Sequence, residues 1–148
     1  MSLWNKLFGS TADAGQVDYY LEGLELLKDG KFHDALTSFR LALRESPGDP
    51  VVLQQIAITY TRIGMAEEAA KTYRHVLKND PDAPGAHYGL AFLYLRSGHT
   101  EEGVHHLRSF LENAPHAADA GEHIAHARAT LSQLTGETFN VPQGSFEG

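Results

Sequence analysis

The chain has no cysteine. That one absence excludes disulfides, thiolate zinc sites and cysteine nucleophiles. Positive charge is scarce: 12 Lys and Arg stand against 19 Asp and Glu, a formal net charge of -7 at pH 7. A nucleic-acid binder needs a basic face to displace counterions, so no nucleic-acid partner is expected. Long apolar runs are missing too, and the longest fall far short of the roughly 20 residues of a spanning helix. The N-terminus carries one lysine and a short apolar patch where a secretory leader would have a long apolar core. Cytoplasmic is therefore the expected location, a leader already removed being the exception. There is no phosphate-cradling glycine loop, no G-x-S-x-G elbow and no H-E-x-x-H, so neither an enzyme nor a cofactor is expected. What remains is ordinary: 148 residues, 42% hydrophobic and 21% charged, one globular domain by length.

What the sequence does have is punctuation at a fixed interval. Pro47, Pro81 and Pro115 are spaced 34 residues apart, and so are Gly30, Gly64 and Gly98. Ala35, Ala69 and Gly103, all small, keep that spacing, as do the large apolar Phe39, Tyr73 and Leu107. Within each period the pattern predicts helix, short turn, helix. The first helices are expected over 17–29, 50–63 and 84–97, each closed by the glycine, which tolerates a left-handed C-cap. The second are expected over 32–46, 66–80 and 100–114, each stopped by the proline. The small residue lets two helices approach, and the large one four positions on fills the gap.

These residues resemble the tetratricopeptide repeat family, whose pattern is W-x2-L-G-x2-Y, then A-x3-F, then P, over about 34 residues. The second period reads Leu53, Ile56, Ala57, Tyr60, then Ala69, Tyr73 and Pro81. The third reads His87, Leu90, Ala91, Tyr94, then Gly103, Leu107 and Pro115, with His87 and Gly103 as departures. The first reads Tyr19, Glu22, Gly23, Leu26, then Ala35, Phe39 and Pro47. Glu22 replaces an apolar residue there, which suggests an end repeat with a wet outer edge. The resemblance covers about residues 16–115. It implies an all-α, right-handed superhelical solenoid of antiparallel helix pairs. The repeats would span about 16–49, 50–83 and 84–117 within a domain of 16–136. A capping helix over 117–135 would carry Ile124, Ala127, Leu131 and Leu134 on one stripe, because solenoids need a terminal cover. Residues 137–148 read as an extended tail.

The resemblance also gives meaning to the run GLAFLYLRSG, Gly89–Gly98. Leu90, Ala91 and Tyr94 match packing positions, while Tyr88, Phe92, Leu95 and Arg96 form a second stripe on the same helix. In the family the first helices line the concave surface. One period back, the stripe corresponds to Gln54, Ile58, Thr61 and Arg62, and two periods back to Tyr20, Leu24, Leu27 and Lys28. The expected groove thus has an apolar floor of Leu24, Ile58 and Phe92, and a basic ladder of Lys28, Arg62 and Arg96. The ladder also fits plain helix-end charge. The family often has Asn on this floor; an apolar floor suits an amphipathic helix or hydrophobic side chains instead. The expected function is a scaffold holding a hydrophobic or amphipathic, partly acidic peptide of a protein partner. Family members that bind chaperone tails clamp a carboxylate with cations, but the matching positions here are Tyr20, Leu24, Gln55, Gly85 and Gly89. That specialisation is not expected.

The N-terminal residues 1–15 hold Leu3, Trp4, Leu7 and Phe8 on one side of a short helix, then a flexible link. This segment could cap the first repeat, touch a membrane weakly without inserting, or dock into a neighbouring copy. The last option makes the alternative function a self-assembling homo-oligomer. Of nine histidines, seven lie between His87 and His126. His123 and His126 share a helix face, but a metal site needs three or four converging ligands and none is expected. Most histidines read as solvated surface, with a charge response to acidification.

Overall fold

Glycine, proline and aspartate set the helix boundaries. The computed structural model describes residues 16–115 and 120–137. Among these the chain forms α-helices and no strand: α1 Tyr19–Lys28, α2 Phe32–Glu45, α3 Pro50–Ile63, α4 Ala66–Asn79, α5 Pro84–Arg96, α6 Thr100–Asn113 and α7 Gly121–Thr135. The first segment, 1–15, and the tail beyond 137 lie outside the described residues, and so does the expected start of the capping helix.

Asp18 caps α1 by accepting from the Leu21 N–H at 3.1 Å. Asp49 caps α3 by accepting from the Val51 and Val52 N–H groups, with Pro50 in the first turn, where its missing N–H costs nothing. Each first helix then ends in one repeated closure. The N–H groups of Lys31, Met65 and His99 donate to the carbonyls of Leu26, Tyr60 and Tyr94 at 2.8–2.9 Å. That bond requires a left-handed residue between, supplied by Gly30, Gly64 and Gly98 at φ +76°, +92° and +85°. A Cβ at these three would meet nothing within 4 Å, so backbone conformation and not space demands glycine.

Each helix packs on the next along the chain, and α3 also touches α5, which brings first helices of successive repeats side by side. The core is three clusters in series. The first joins Ala35, Leu36 and Phe39 of α2 to Val52 and Ile56 of α3. The second joins Leu53 and Ala57 of α3, Ala69, Tyr73 and Val76 of α4, and Ala86 and Leu90 of α5. The third joins Ala91 of α5, Leu107 and Phe110 of α6, and Ala127 and Leu131 of α7. The small and large positions read from the period are all buried. Gly23 has no room for a Cβ because the Phe39 ring lies on it, and Gly89 is covered in the same way by Tyr73.

Two expectations about this core need correction. Tyr94 is half-buried and packs against the second cluster from its edge, not inside it. Its phenol accepts a hydrogen bond from Arg74 at 2.9 Å, as that of Tyr60 does from Arg40 at 2.6 Å, so both rings end at the surface. On α7, Ala127 and Leu131 are buried and Ile124 partly so, but Leu134 is 43% exposed, because it lies in the last turn beyond the helices it could cover. The wet edge expected at the first repeat is present: Gly23 is the only buried residue of α1, and Leu21 is exposed.

Of the eight histidines among the described residues six are exposed, as expected; His87 and His106 are the exceptions. His87 is buried, at 6% exposure, and His106 is half-buried. His87 Nε2 lies 2.7 Å from the Pro81 carbonyl, so that nitrogen must carry the hydrogen. Its Nδ1 lies 2.9 Å from His106 Nδ1 and accepts from it. The pair ties α5, α6 and the α4–α5 turn together. Burial holds His106 down to a pKa of about 4, helped by the neighbouring His87 and His105 and opposed by Glu102. The unfolded chain therefore binds this proton between pH 6.5 and about 4 while the fold does not. Stability from this group is complete above that window and falls as pH drops through it. Thermal melts on that range should show a declining melting temperature, and His106→Gln should show a smaller decline. An equal decline in both proteins would refute this assignment.

Candidate functional site

Tyr88 and Phe92 on α5, Ile58 and Arg62 on α3, and His123 and His126 on α7 surround one hollow. It has a volume of about 670 Å³, within the ordinary range for a ligand-binding cleft. Gln54, Thr61, Tyr73, Arg96 and Phe110 complete its chemically distinctive lining. The α5 backbone can approach because Gly85 and Gly89 present no side chain; Gln54 and Tyr73 occupy the space a Cβ would need.

The structure brings Gln54, Ile58, Arg62, Tyr88, Phe92 and Arg96 of the expected groove onto this one hollow. It does not bring the others there. Tyr20, Leu24 and Leu27 pack against the first core cluster, and Lys28 is exposed beyond them. Leu95 packs into the third cluster, in the space left by Gly103. The basic ladder is thereby reduced to Arg62 and Arg96, with the Arg62 guanidinium 5.0 Å from the centre of the Phe32 ring.

Four residues of the lining stand outside the groove expected from the sequence: Tyr73, Phe110, His123 and His126. Tyr73 holds a core position, but its hydroxyl end reaches the hollow. Burial pushes its phenol up to about 12, against a hydrogen bond with Thr61, so it stays protonated at ordinary pH. Phe110 of α6 closes the far side. His123 and His126, the pair on one face of α7, both line the hollow. The His126 ring stacks on Phe92, 4.6 Å between centroids and 4° from parallel. Its Nδ1 is 2.8 Å from the Tyr88 hydroxyl, and the His123 ring meets Tyr88 edge-on at 4.9 Å. α7 thus both covers the third core cluster and lines the hollow. Burial also raises the Tyr88 phenol above its ordinary range.

The charge of this lining is distinctive. Among the described residues two arginines and two histidines face the hollow and no Asp or Glu does, in a chain whose net charge is -7. No helix among the described residues is long and apolar enough to cross a membrane.

No curated protein matches the chain by sequence. Among solved structures, the type III secretion chaperone SycD of Yersinia enterocolitica, in complex with a peptide of the translocator YopD, superposes with a TM-score of 0.73 at 17% identity, over 78% of this chain and 88% of that one. PcrH of Pseudomonas aeruginosa gives 0.72 at 20% identity, over 79% and 89%. The first repeat domain of Spaghetti (RPAP3), bound to the HSP90 peptide SRMEEVD, gives 0.66 at 18% identity, over 77% and 93%. At these identities the likeness is one of fold. The profile of the tetratricopeptide repeat matches residues 26–84 and 64–122, together more than half of the 148 residues. With its 34-residue punctuation and paired helices, the chain belongs to the tetratricopeptide repeat family.

Proposed function

We propose that this protein is an interaction scaffold that holds an amphipathic peptide segment of a partner protein in the hollow between α3, α5 and α7. Apolar side chains of the segment would rest on Ile58, Tyr88 and Phe92, and its acidic side chains would meet Arg62 and Arg96. The observation that carries this reading is the lining itself: mostly apolar, about 670 Å³, with Arg62 and Arg96 in it and no carboxylate among the described residues. Such a surface is matched by a helix with apolar and acidic faces. Supporting it, similar folds hold peptides in their solved complexes, a YopD peptide in SycD and the chaperone-binding region of PopD in PcrH.

The test is a synthetic amphipathic peptide with Leu and Phe on one helical face and Glu on the other, titrated against the full chain. Its scrambled twin has the same composition and no apolar face. The expected result is micromolar binding of the first and at least about tenfold weaker binding of the second, a difference of about 1.4 kcal/mol. Equal affinity for the two peptides, or no binding of either, would overturn the reading.

A further inference from the structure

The α7 wall of the hollow carries the titratable groups of the site, and they touch its central aromatic residues. His126 lies flat on Phe92 and shares a hydrogen bond with Tyr88 at 2.8 Å; the His123 ring meets Tyr88 edge-on. Both histidines are exposed. We propose that this wall makes the groove proton-sensitive: an acidic, apolar-faced peptide of a partner protein binds more tightly when His123 and His126 are protonated, and the Tyr88 hydroxyl delivers part of the gain. The proposal rests on the peptide-binding reading above and adds the regulation of that site.

The chemistry of the Tyr88–His126 bond gives the mechanism. A neutral His126 with its hydrogen on Nε2 accepts at Nδ1, so the phenol O–H points to the imidazole. An imidazolium has hydrogens on both nitrogens and can only donate. The same contact then runs from His126 Nδ1–H to the phenol oxygen, and the phenol O–H is released toward the hollow. Protonation thus adds a positive ring and frees a neutral donor, both suited to a carboxylate. The phenol itself stays protonated, since burial raises it above its ordinary range.

The surroundings favour this use. From α5 the groups on the hollow are Tyr88 and Arg96, from α3 Arg62, and from α4 Tyr73. From α6 only Phe110 faces it, while Arg108 on α6 is paired with Glu137. On α7 itself Glu122 and Arg128 are exposed and outside the lining. Among the described residues no acidic side chain of the lining competes for the protonated rings, which suits them to a ligand carboxylate.

The probe is the Glu-faced amphipathic peptide, with a twin carrying Gln at every Glu. Binding to the full chain is measured at about pH 7.5 and about pH 5.5, a range that titrates histidine and leaves glutamate ionised. At roughly 0.15 M salt, charges beyond about 8 Å are largely screened, so distant histidines contribute little. The Glu peptide should bind about threefold to tenfold more tightly at the lower pH, the size expected for one or two partly exposed ion pairs. The Gln twin should change less than about twofold. In His123→Gln/His126→Gln the Glu peptide should lose its pH dependence, and in Tyr88→Phe the dependence should shrink. Circular dichroism verifies that each variant is folded; should the double variant not fold, the Glu and Gln peptides on the unaltered chain and on Tyr88→Phe carry the test. Binding that persists without pH dependence overturns this proposal and leaves the peptide reading standing. An undiminished dependence in the folded double variant also overturns it, since other histidines would then be responsible. An undiminished dependence in Tyr88→Phe removes the hydroxyl from the mechanism. Absence of binding at both pH values sinks this proposal together with the function beneath it.

Discussion

Truncation after Pro115 should leave a protein that aggregates, or that melts far below the full chain. The reason is the third core cluster. Leu107 is fully buried and Phe110 nearly so, and the cover they share with Leu111 comes from Ile124, Ala127 and Leu131 of α7. Exposing three large apolar side chains costs about 1.5–3 kcal/mol for each one fully uncovered. Even partial exposure is a large share of the roughly 5–15 kcal/mol that holds a typical domain together. The new surface would also be a contiguous apolar patch, which promotes association. A milder version is Leu131→Ala, expected to cost about 2–5 kcal/mol because the side chain is 1% exposed. Melting curves and light scattering on the two proteins decide the matter. A soluble truncation that melts within a few degrees of the full chain would show that α7 is not a cap.

The periodic part of this structure was legible because its causes are local. A glycine that closes a helix with positive φ, a proline that stops the helix before it and a small residue four positions before a large one act within a few residues of themselves. The helices accordingly fall within one or two residues of the expected ranges over 16–115. The candidate site was legible only in part. Subtracting a period keeps a residue's phase on its helix, but not what the neighbouring helix leaves open. Leu95 has the phase of a groove residue, yet the missing side chain at Gly103 makes a space on the α6 side that Leu95 fills. Leu24 and Leu27 have the phase as well, but in an end repeat they close the first cluster. Tyr94 matched a packing position, and a bond from Arg74 holds its phenol at the surface. One further period of 34 carries the floor position of Leu24, Ile58 and Phe92 on to His126, and the structure stacks those last two rings; the repeated proline and glycine stop before α7, so only the spacing marks it. The His87–His106 pair was hidden for another reason: nothing in the one-dimensional pattern says that two histidines on successive helices will meet at bonding distance.

The second large effect concerns the two faces of α5. Leu90 is 0% exposed, whereas Phe92, two residues on, is half-buried with one face on His126 and an edge on the hollow. Leu90→Asp should therefore unfold the third repeat, since an unpaired carboxylate in a packed core costs several kcal/mol, on the order of the whole stability. Phe92→Glu should cost far less, about 1–2 kcal/mol for lost stacking and partial burial, because the new carboxylate can reach water. A melting temperature that falls equally in both variants would mean that α5 has one buried surface and no free one.

Binding should respond in the opposite order to stability, and this is where the account is most exposed. Phe92 is the central apolar contact of the proposed groove, and a carboxylate there would also confront an acidic ligand. Titration of the Glu-faced amphipathic peptide into folded Phe92→Glu, beside the unaltered chain, is the direct measurement. An anchor of this kind is worth about 2 kcal/mol or more, so the variant should bind at least about thirtyfold more weakly while melting only a few degrees lower. Unchanged affinity in a folded Phe92→Glu protein would contradict the account, because the peptide would then be held somewhere other than the hollow between α3, α5 and α7.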